Sequence, residues 1–511
     1  MEDHKIATAE IAARVKHLYA LQRPFRIYHG STNSTRHSQY TRDNTVDTSK
    51  LSHVLKVDTY TRTALVEPNV PMDSLVAATM ECGLIPPVVM EFPGITVGGG
   101  FSGTSAESSS FRHSFFDRTV ISVEIVLADG KIVTASAEEN HDLFRGAASS
   151  FGTLGVITLV QLRLLEAKTY VELTYHPVNS IIQAVQKIEE ATMDASIDYL
   201  DGMLFSKDCG VICTGRLTND LKSGIRLQGF LRSTDPWFYL HAKRLLKTTN
   251  GPVTEAIPLT DYLFRYDRGG FWVGMYAFKY FITPFNRITR WVLDYFMHTR
   301  VMYHAMHQSG HSELYIIQDV AIPYQKADDF VEFLDQSFGR YPLWLCPLLQ
   351  TNESPMSPRA LLFKEELNSA SKMILNFGVW GPGPRGRDEF VQANRKLEQK
   401  VLELGGKKWL YAHAYYTEDE FWSIYKRDEY DTLRIKYHAN YLPSIFDKVR
   451  VDFVAEKQAI NKSWVAWLLA LFWSIWPLSG LYGVLHTLLK EEYLMLRQAP
   501  QKFDGNHIKH A

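Results

Sequence analysis

Cysteine is the scarcest chemistry in this protein: four occur in 511 residues, Cys82, Cys209, Cys213 and Cys346. Their one close spacing, Cys209-x3-Cys213, has no second pair to complete a tetrahedral zinc site, so they read as idle thiols of a reducing compartment. An excess of charge of one sign is missing too. With 55 Lys+Arg against 56 Asp+Glu the formal net charge is -1, and nothing in that balance supplies the clustered cations that neutralise phosphates, which argues against a nucleic-acid partner. The histidines show no His-x3-His or His-Glu-x-x-His spacing trustworthy enough to carry a metal site, and none is expected. Gly-Lys-Ser/Thr does not occur, so there is no P-loop. The opening Met1-Glu2-Asp3-His4-Lys5 lacks the basic start and apolar stretch of a secretory signal, and the expectation is a catalytic body in the cytosol.

What is present is an ordinary globular composition, 46% apolar and 22% charged, with length for two or three domains at about 100 to 200 residues each. Ile6, Ile11, Val15, Leu18 and Tyr19 recur at helical spacing in an amphipathic opening helix. Phe25 to Tyr28 reads as a strand, followed by the polar loop His29 to Thr35. Strands are predicted over 54–57 and 64–66, with Asp73 capping a helix over 74–82. Asp129-Gly130 between two apolar runs is a two-residue hairpin signal. A helix follows near His141 to Ala148, then Gly152-Thr153-Leu154-Gly155 leads into an apolar strand. The texture changes near Lys168, where a domain boundary is placed, and a helix is predicted over 388–404 after the Gly381 to Pro384 turn.

Trp464 to Leu489 contains no Asp, Glu, Lys or Arg. It is long enough to span a bilayer, although Pro477 and Gly480 equally allow a re-entrant or interfacial pair of helices, or a buried helical hairpin.

Gly98-Gly99-Gly100-Phe101-Ser102-Gly103 fits G-x-G-x-x-G by the letter. Its context does not: Pro93 precedes it, and Thr104 to Ser110 is a poor helix opening with no apolar stripe. The alternative is a loop of small residues, Gly94 to Ser110, whose unobstructed backbone N–H groups and Thr96, Ser102, Thr104 and Ser105 hydroxyls suit a pyrophosphate. Glycines that merely permit tight turns explain the run equally well.

Read together, three small-residue loops stand in a fixed order among strands: His29 to Thr35, Gly94 to Ser110, and Gly152 to Gly155. With Ile95-Thr96-Val97-Gly98-Gly99, Glu107-Ser108-Ser109-Ser110 and Val126-Leu127-Ala128-Asp129-Gly130, this order resembles the FAD-binding (PCMH-type) domain of the vanillyl-alcohol oxidase superfamily. The likeness is specific to the Δ24-sterol reductase (Diminuto) family. It continues through Ile317-Gln318-Asp319-Val320, Pro342 to Pro347, Glu420-Phe421-Trp422, Tyr430, Leu433-Arg434 and Pro443, covering most of residues 20–450. The apolar segment lies at the C-terminal side, whereas those reductases carry an N-terminal anchor. The loop from Tyr28 to Thr35 also departs from the animal and plant forms.

The resemblance implies an α+β protein with a PCMH-type FAD-binding domain over 1–167, an α/β substrate (cap) domain over 168–410, a C-terminal return over 411–455 and a membrane-associated hydrophobic helical tail over 460–511. It implies FAD held by Gly30, Ser31, Thr32, Asn33, Ser34, Thr96, Val97, Gly98, Gly99, Gly100, Phe101, Ser102, Gly103, Thr104, Ser105, Ala106, Glu107, Ser108, Gly152 and Gly155. Setting Gly30 on the first glycine of the covalent-attachment motif puts Thr32 where its His would be, so FAD is expected to be non-covalent. The implied activity is NADPH-driven reduction of a Δ24 side-chain alkene of a sterol or sterol-like lipid on the endoplasmic reticulum or another intracellular membrane. Oligomeric state is not legible.

An unpolarised alkene needs a proton donor as well as a hydride, in a pocket that excludes water. Tyr415 is the expected donor, with Tyr416 beside it, and core tyrosines are the alternative. Arg434 and Lys436 are expected to stabilise the reduced flavin unless they form solvated ion pairs. Glu107 is expected to be structural. The aromatics from Trp237 to Tyr303, interleaved with Lys279, Arg287, Arg290 and Arg300, suit either a membrane-facing entrance or an aromatic core. An oxidase of an alcohol, sugar acid or terpenoid using O2 is the second reading, and a lipid-binding scaffold with a degenerate flavin domain the third.

Overall fold

The computed structural model describes residues 1–30, 43–248, 251–310, 314–350, 373–453 and 476–490. Two sheets organise it. The first is five-stranded and antiparallel, in the order Val54–Asp58, Thr63–Val66, Gly155–Arg163, Val120–Leu127, Ile132–Ser136. Gly130 closes the hairpin between the last two at φ +88°, a left-handed conformation that glycine adopts without a Cβ penalty. The latest strand in sequence, Gly155–Arg163, occupies the centre of the sheet and so brings the Gly152 loop against the older hairpins. The opening helix Glu2–Ala20 lays Ile11, Val15 and Leu18 on this sheet, while Ile6 faces out. Buried His4 ties it down by bonding Glu67 (2.8 Å) and Glu124 (3.2 Å).

The second sheet has nine strands, in the order Arg226–Leu227, Val253–Pro258, Tyr170–Val178, Cys209–Thr218, Tyr199–Ser206, Leu343–Leu349, Met373–Pro382, Tyr315–Ile322, Lys407–Lys408. Period-2 alternation decides what each face does. Leu200, Leu204, Ile316, Val320, Leu345, Leu375 and Phe377 point to one side and pack under the helices Ile181–Met193, Ala327–Phe338 and Arg387–Glu403. Their neighbours Met203, Ile317, Trp344, Ile374 and Trp380 belong to the other side and join the core shared with the first sheet. Asp201, fully buried on that side, accepts through one oxygen, Oδ2, from Arg265 (2.8 Å), Tyr266 (2.8 Å) and the Trp344 indole (3.1 Å), while its Oδ1 has no partner among the described residues.

The backbone then returns to the first unit. Helix Arg427–Lys436 packs on helix His141–Ala147, and Tyr430 donates to Thr153 (2.9 Å) while accepting from the Ile445 N–H (3.0 Å). Two local expectations change. Helix Met72–Met80 starts after Pro71, with Asp73 in its first turn rather than at its cap. The predicted loop at Gly94 to Ser110 contains a helix, Val97–Gly103, because the Thr96 hydroxyl accepts from the Gly99 N–H and the fold packs around it.

Of the apolar stretch Trp464 to Leu489, residues 464–475 lie outside the described residues. The remainder contains helix Leu478–Lys490, packed on helix Thr299–Gln308, with Gly483 against the Ala305 carbonyl and Gly480 against Tyr280. Among the described residues no helix is long and apolar enough to cross a membrane.

Candidate active site

A cavity of about 1070 Å³ runs between the two units. That exceeds the roughly 300–1,000 Å³ of an ordinary ligand pocket, leaving room for a dinucleotide and a second ligand. One wall is the Val97–Gly103 helix. Thr96, Gly98, Gly99, Ser102, Gly103, Ser105 and Ala106 line the cavity, joined by Gly30, Gly152 and Gly155. Val97, Gly100, Phe101, Thr104, Glu107 and Ser108, also expected at the cofactor, do not line it and are buried or packed away. Helical periodicity makes this division: 98, 99, 102 and 103 share a face, and 97, 100, 101 and 104 share the opposite one. Ser31, Thr32, Asn33 and Ser34 lie outside the described residues.

The glycines of this helix have different reasons. A Cβ on Gly98 would stand 2.7 Å from the Pro68 Cβ, and one on Gly100 would stand 2.5 Å from the Met90 methyl. These two permit close packing. A Cβ on Gly99 would meet only the Thr96 hydroxyl, at 3.1 Å, and otherwise project toward the cavity. Glu107 is structural, as expected: it accepts from the Ser109 N–H (2.9 Å) and the Ser108 hydroxyl (2.7 Å).

His29, Asn69 and Glu91 line the same end without having been singled out as ligands by sequence. Burial and the charge of Lys448 lower His29 to about 4, which keeps the ring neutral, and its Nδ1 has no partner among the described residues. Burial and the neighbouring Glu107 carboxylate hold Glu91 well above the usual carboxylate range, and its Oε1 is likewise unpaired among the described residues. Such orphaned buried atoms are what a bound polar cofactor would satisfy.

The opposite wall comes from the nine-stranded sheet and the return. Ile317, Asp319, Trp344, Asn376, Trp380, Trp409, Tyr411 and His413 line it, with Tyr303 from helix Thr299–Gln308. The Trp409 indole donates to the Thr104 carbonyl (3.1 Å), pinning this wall to the glycine helix. Asp319 accepts from the Tyr411 hydroxyl and from the Asn376 amide (3.2 Å). Burial raises Asp319 to about 6, against the lowering effect of those hydrogen bonds and one from Trp380.

The two residues expected to be catalytic are elsewhere. Tyr415 belongs to the helix-covered core, its ring against Phe390, and its N–H donates to Glu398. Arg434 is buried in the last turn of helix Arg427–Lys436, donating to the carbonyls of Ala439 (3.0 Å) and Leu442 in the segment that follows it. Neither lines the cavity. Tyr416 is buried beside Lys408, and Lys436 pairs with Asp142 at the surface. Sequence reasoning passed over Asp319 and Tyr411. The one local signal was a carboxylate in an otherwise apolar strand, Tyr315–Ile322.

The cavity's entrance is edged by Phe281, Leu293, Phe296, Leu481 and Val484. Beside it, Ile288, Trp291 and Val292 on helix Arg287–Val292 are 71%, 56% and 63% exposed, and Leu485 and Leu489 on helix Leu478–Lys490 are 56% and 75% exposed. The Trp476 indole donates to the Tyr280 carbonyl (2.6 Å), tying the start of the Leu478–Lys490 helix to the end of helix Gly274–Tyr280. The segment from Trp237 to Tyr303 is divided: Trp237, Phe238, Phe271 and Trp272 are core, and 287–292 is surface.

Comparison with known proteins places this geometry in a class. Residues 7–136 match the model of the FAD binding domain, and the protein is a flavin-dependent oxidoreductase with a PCMH-type domain. Along most of its length its homologues are Δ24-sterol reductases: it is 29% identical to that of Homo sapiens over 408 residues, 78% of this sequence and 76% of the relative. It is equally 29% identical to the Δ24-sterol reductase of Pisum sativum, over 81% of this sequence and 77% of the relative. Cytokinin dehydrogenase 9 of Oryza sativa subsp. japonica is 28% identical over 155 residues, 30% of this sequence and 29% of the relative.

Proposed function

We propose that this protein reduces the Δ24 carbon–carbon double bond in the tail of a sterol or sterol-like lipid, using FAD held non-covalently and NADPH as reductant. The observation that carries the reading is the continuous cavity joining the glycine helix to a wall of Ile317, Trp344 and Trp380, wide enough for cofactor and an apolar ligand together. Thr96, Gly98, Gly99, Ser102 and Ser105 would hold the pyrophosphate portion, with His29, Asn69 and the Gly152 loop beside it. Bound there, FAD supplies hydride transfer. The aromatic wall orients a rigid apolar ligand and keeps water from the reacting carbons, which matters because a developing cation next to water would be quenched.

The exposed rim fits docking to an intracellular membrane in the manner of an interfacial helix: Trp291, Ile288, Leu485 and Leu489 would enter the headgroup region while Arg287 meets lipid phosphates. A sterol would then pass from bilayer to cavity past Phe296 and Leu481 without crossing water.

The test is anaerobic incubation of the purified protein with NADPH and a panel of Δ24 sterols, read at the flavin band and by mass spectrometry of the lipid. Saturation of the sterol tail with oxidation of NADPH is expected. Reduction of the flavin by an alcohol, followed by stoichiometric H2O2 in air, overturns the proposal in favour of an oxidase.

A further inference from the structure

We propose that Asp319 and Tyr411 form the proton-delivery pair of the cavity, Tyr411 handing its hydroxyl proton to one carbon of the alkene while Asp319 refills it. The proposal rests on the reductase reading and names the donor which that reading requires.

Four observations carry it. Both residues line the cavity, Asp319 from the open face of strand Tyr315–Ile322 and Tyr411 from the segment after strand Lys407–Lys408. They are hydrogen-bonded to each other, with the Asn376 amide holding the second carboxylate oxygen at 3.2 Å. The groups facing Asp319 are Tyr411, Asn376, Trp380 and, through space, the Tyr303 phenol; among the described residues this set offers no salt bridge that would fix the carboxyl as a permanent anion. Burial accordingly brings Asp319 to about 6, near the operating range of a general acid. A phenol alone is a poor acid here, because burial and Asp319 push Tyr411 well above its ordinary value. A protonated carboxyl behind it removes that obstacle, since the phenol gives and takes a proton in one motion.

The step balances. The alkene π bond breaks as a C–H bond forms with the Tyr411 proton; the phenol oxygen takes the Asp319 proton, leaving a carboxylate. The other carbon would take the hydride, and with it the two electrons, that reduced FAD would supply when held by Thr96, Gly98, Gly99 and Ser102. Water reprotonates Asp319 between turnovers.

The test uses the full-length flavoprotein and the variants Asp319→Asn and Tyr411→Phe. Wild type should reduce the alkene more slowly as pH rises past about 6, and in D2O should place one deuterium on the sterol tail. Asp319→Asn and Tyr411→Phe should each slow alkene reduction by about 10²- to 10⁴-fold, with flavin content and its reduction by NADPH near normal, and Asp319→Asn should lose the pH limb. Infrared titration of the carboxyl, which needs no turnover, should show a step that disappears in Asp319→Asn and moves to higher pH in Tyr411→Phe, where a bond to the carboxylate is lost. Wild type that reduces the alkene alongside an Asp319→Asn variant that does so equally well, limb intact, overturns the pair alone. A wild type that reduces no alkene overturns the functional reading itself.

Discussion

The cavity wall built by helix Val97–Gly103 and the wall built by strands Tyr315–Ile322 and Met373–Pro382 both expose every few residues to the ligand space, yet they tolerate change in different ways. On the helix, bulky groups are absent, and what lines the space is backbone and hydroxyls. On the sheet, bulky and polar groups project, and Trp344, Trp380, Asn376 and Asp319 hold one another. A wall made by omission fails when an atom is added; a wall made by projection fails when one is removed.

The largest expected effect removes support common to the projecting wall. Asp201→Ala strands the buried Arg265 guanidinium and unpairs Tyr266 and Trp344, and breaking such a pair costs about 3–5 kcal/mol. A denaturant titration should show that loss, and a midpoint close to wild type would mean that the sheet face is held by packing alone. Next come the glycines. Gly98→Val pushes atoms into Pro68 and should cost about 1–3 kcal/mol by overpacking. Gly99→Val projects toward the cavity and should leave stability nearly intact while giving colourless protein. Normal flavin absorbance in Gly99→Val would detach the cofactor from this helix, and acid precipitation should release wild-type flavin into the supernatant.

Smaller effects probe the seam between the walls. Tyr430→Phe deletes the buried bond to Thr153 and should cost about 0.5–1.5 kcal/mol, read as a lowered melting temperature. His298 gives a pH signature: burial opposes its charge, but Asp267 and Asp294 outweigh this and raise it to about 9. A group raised above its unfolded value of about 6.5 stabilises the fold fully below that value and loses its contribution as pH climbs through about 9. His298→Gln should therefore flatten the stability decline on the alkaline side. The least effect on folding is expected from Trp291→Ser with Leu485→Ser: both are surface positions, within about 0.5 kcal/mol of wild type, while co-sedimentation with anionic phospholipid vesicles should fall. Unchanged sedimentation would remove the rim from the membrane reading.

The amino-acid sequence by itself determined the elements whose geometry is local. The Asp129-Gly130 turn, the strands Val54–Asp58 and Thr63–Val66 and the helix Arg387–Glu403 follow from φ/ψ preference and periodicity over a few residues. The order of the three glycine-bearing loops among the strands was legible for the same reason, and with it the flavin-dependent class. Tertiary structure alone decided which residues meet. Val97–Gly103 looks like a loop until Thr96 caps it, Pro68 packs on Gly98, and Met90 and Phe116 pack on Gly100. Tyr415 and Arg434 sit near the motifs that suggested them, but the return turns Tyr415 toward the helices and spends Arg434 on the segment that follows its own helix. Asp319 and Tyr411, 92 residues apart, come together because the strand pleat turns Asp319 to the open face and the Lys407–Lys408 edge pairing delivers Tyr411 beside it. That is a matter of register across a sheet, which no local window of sequence contains.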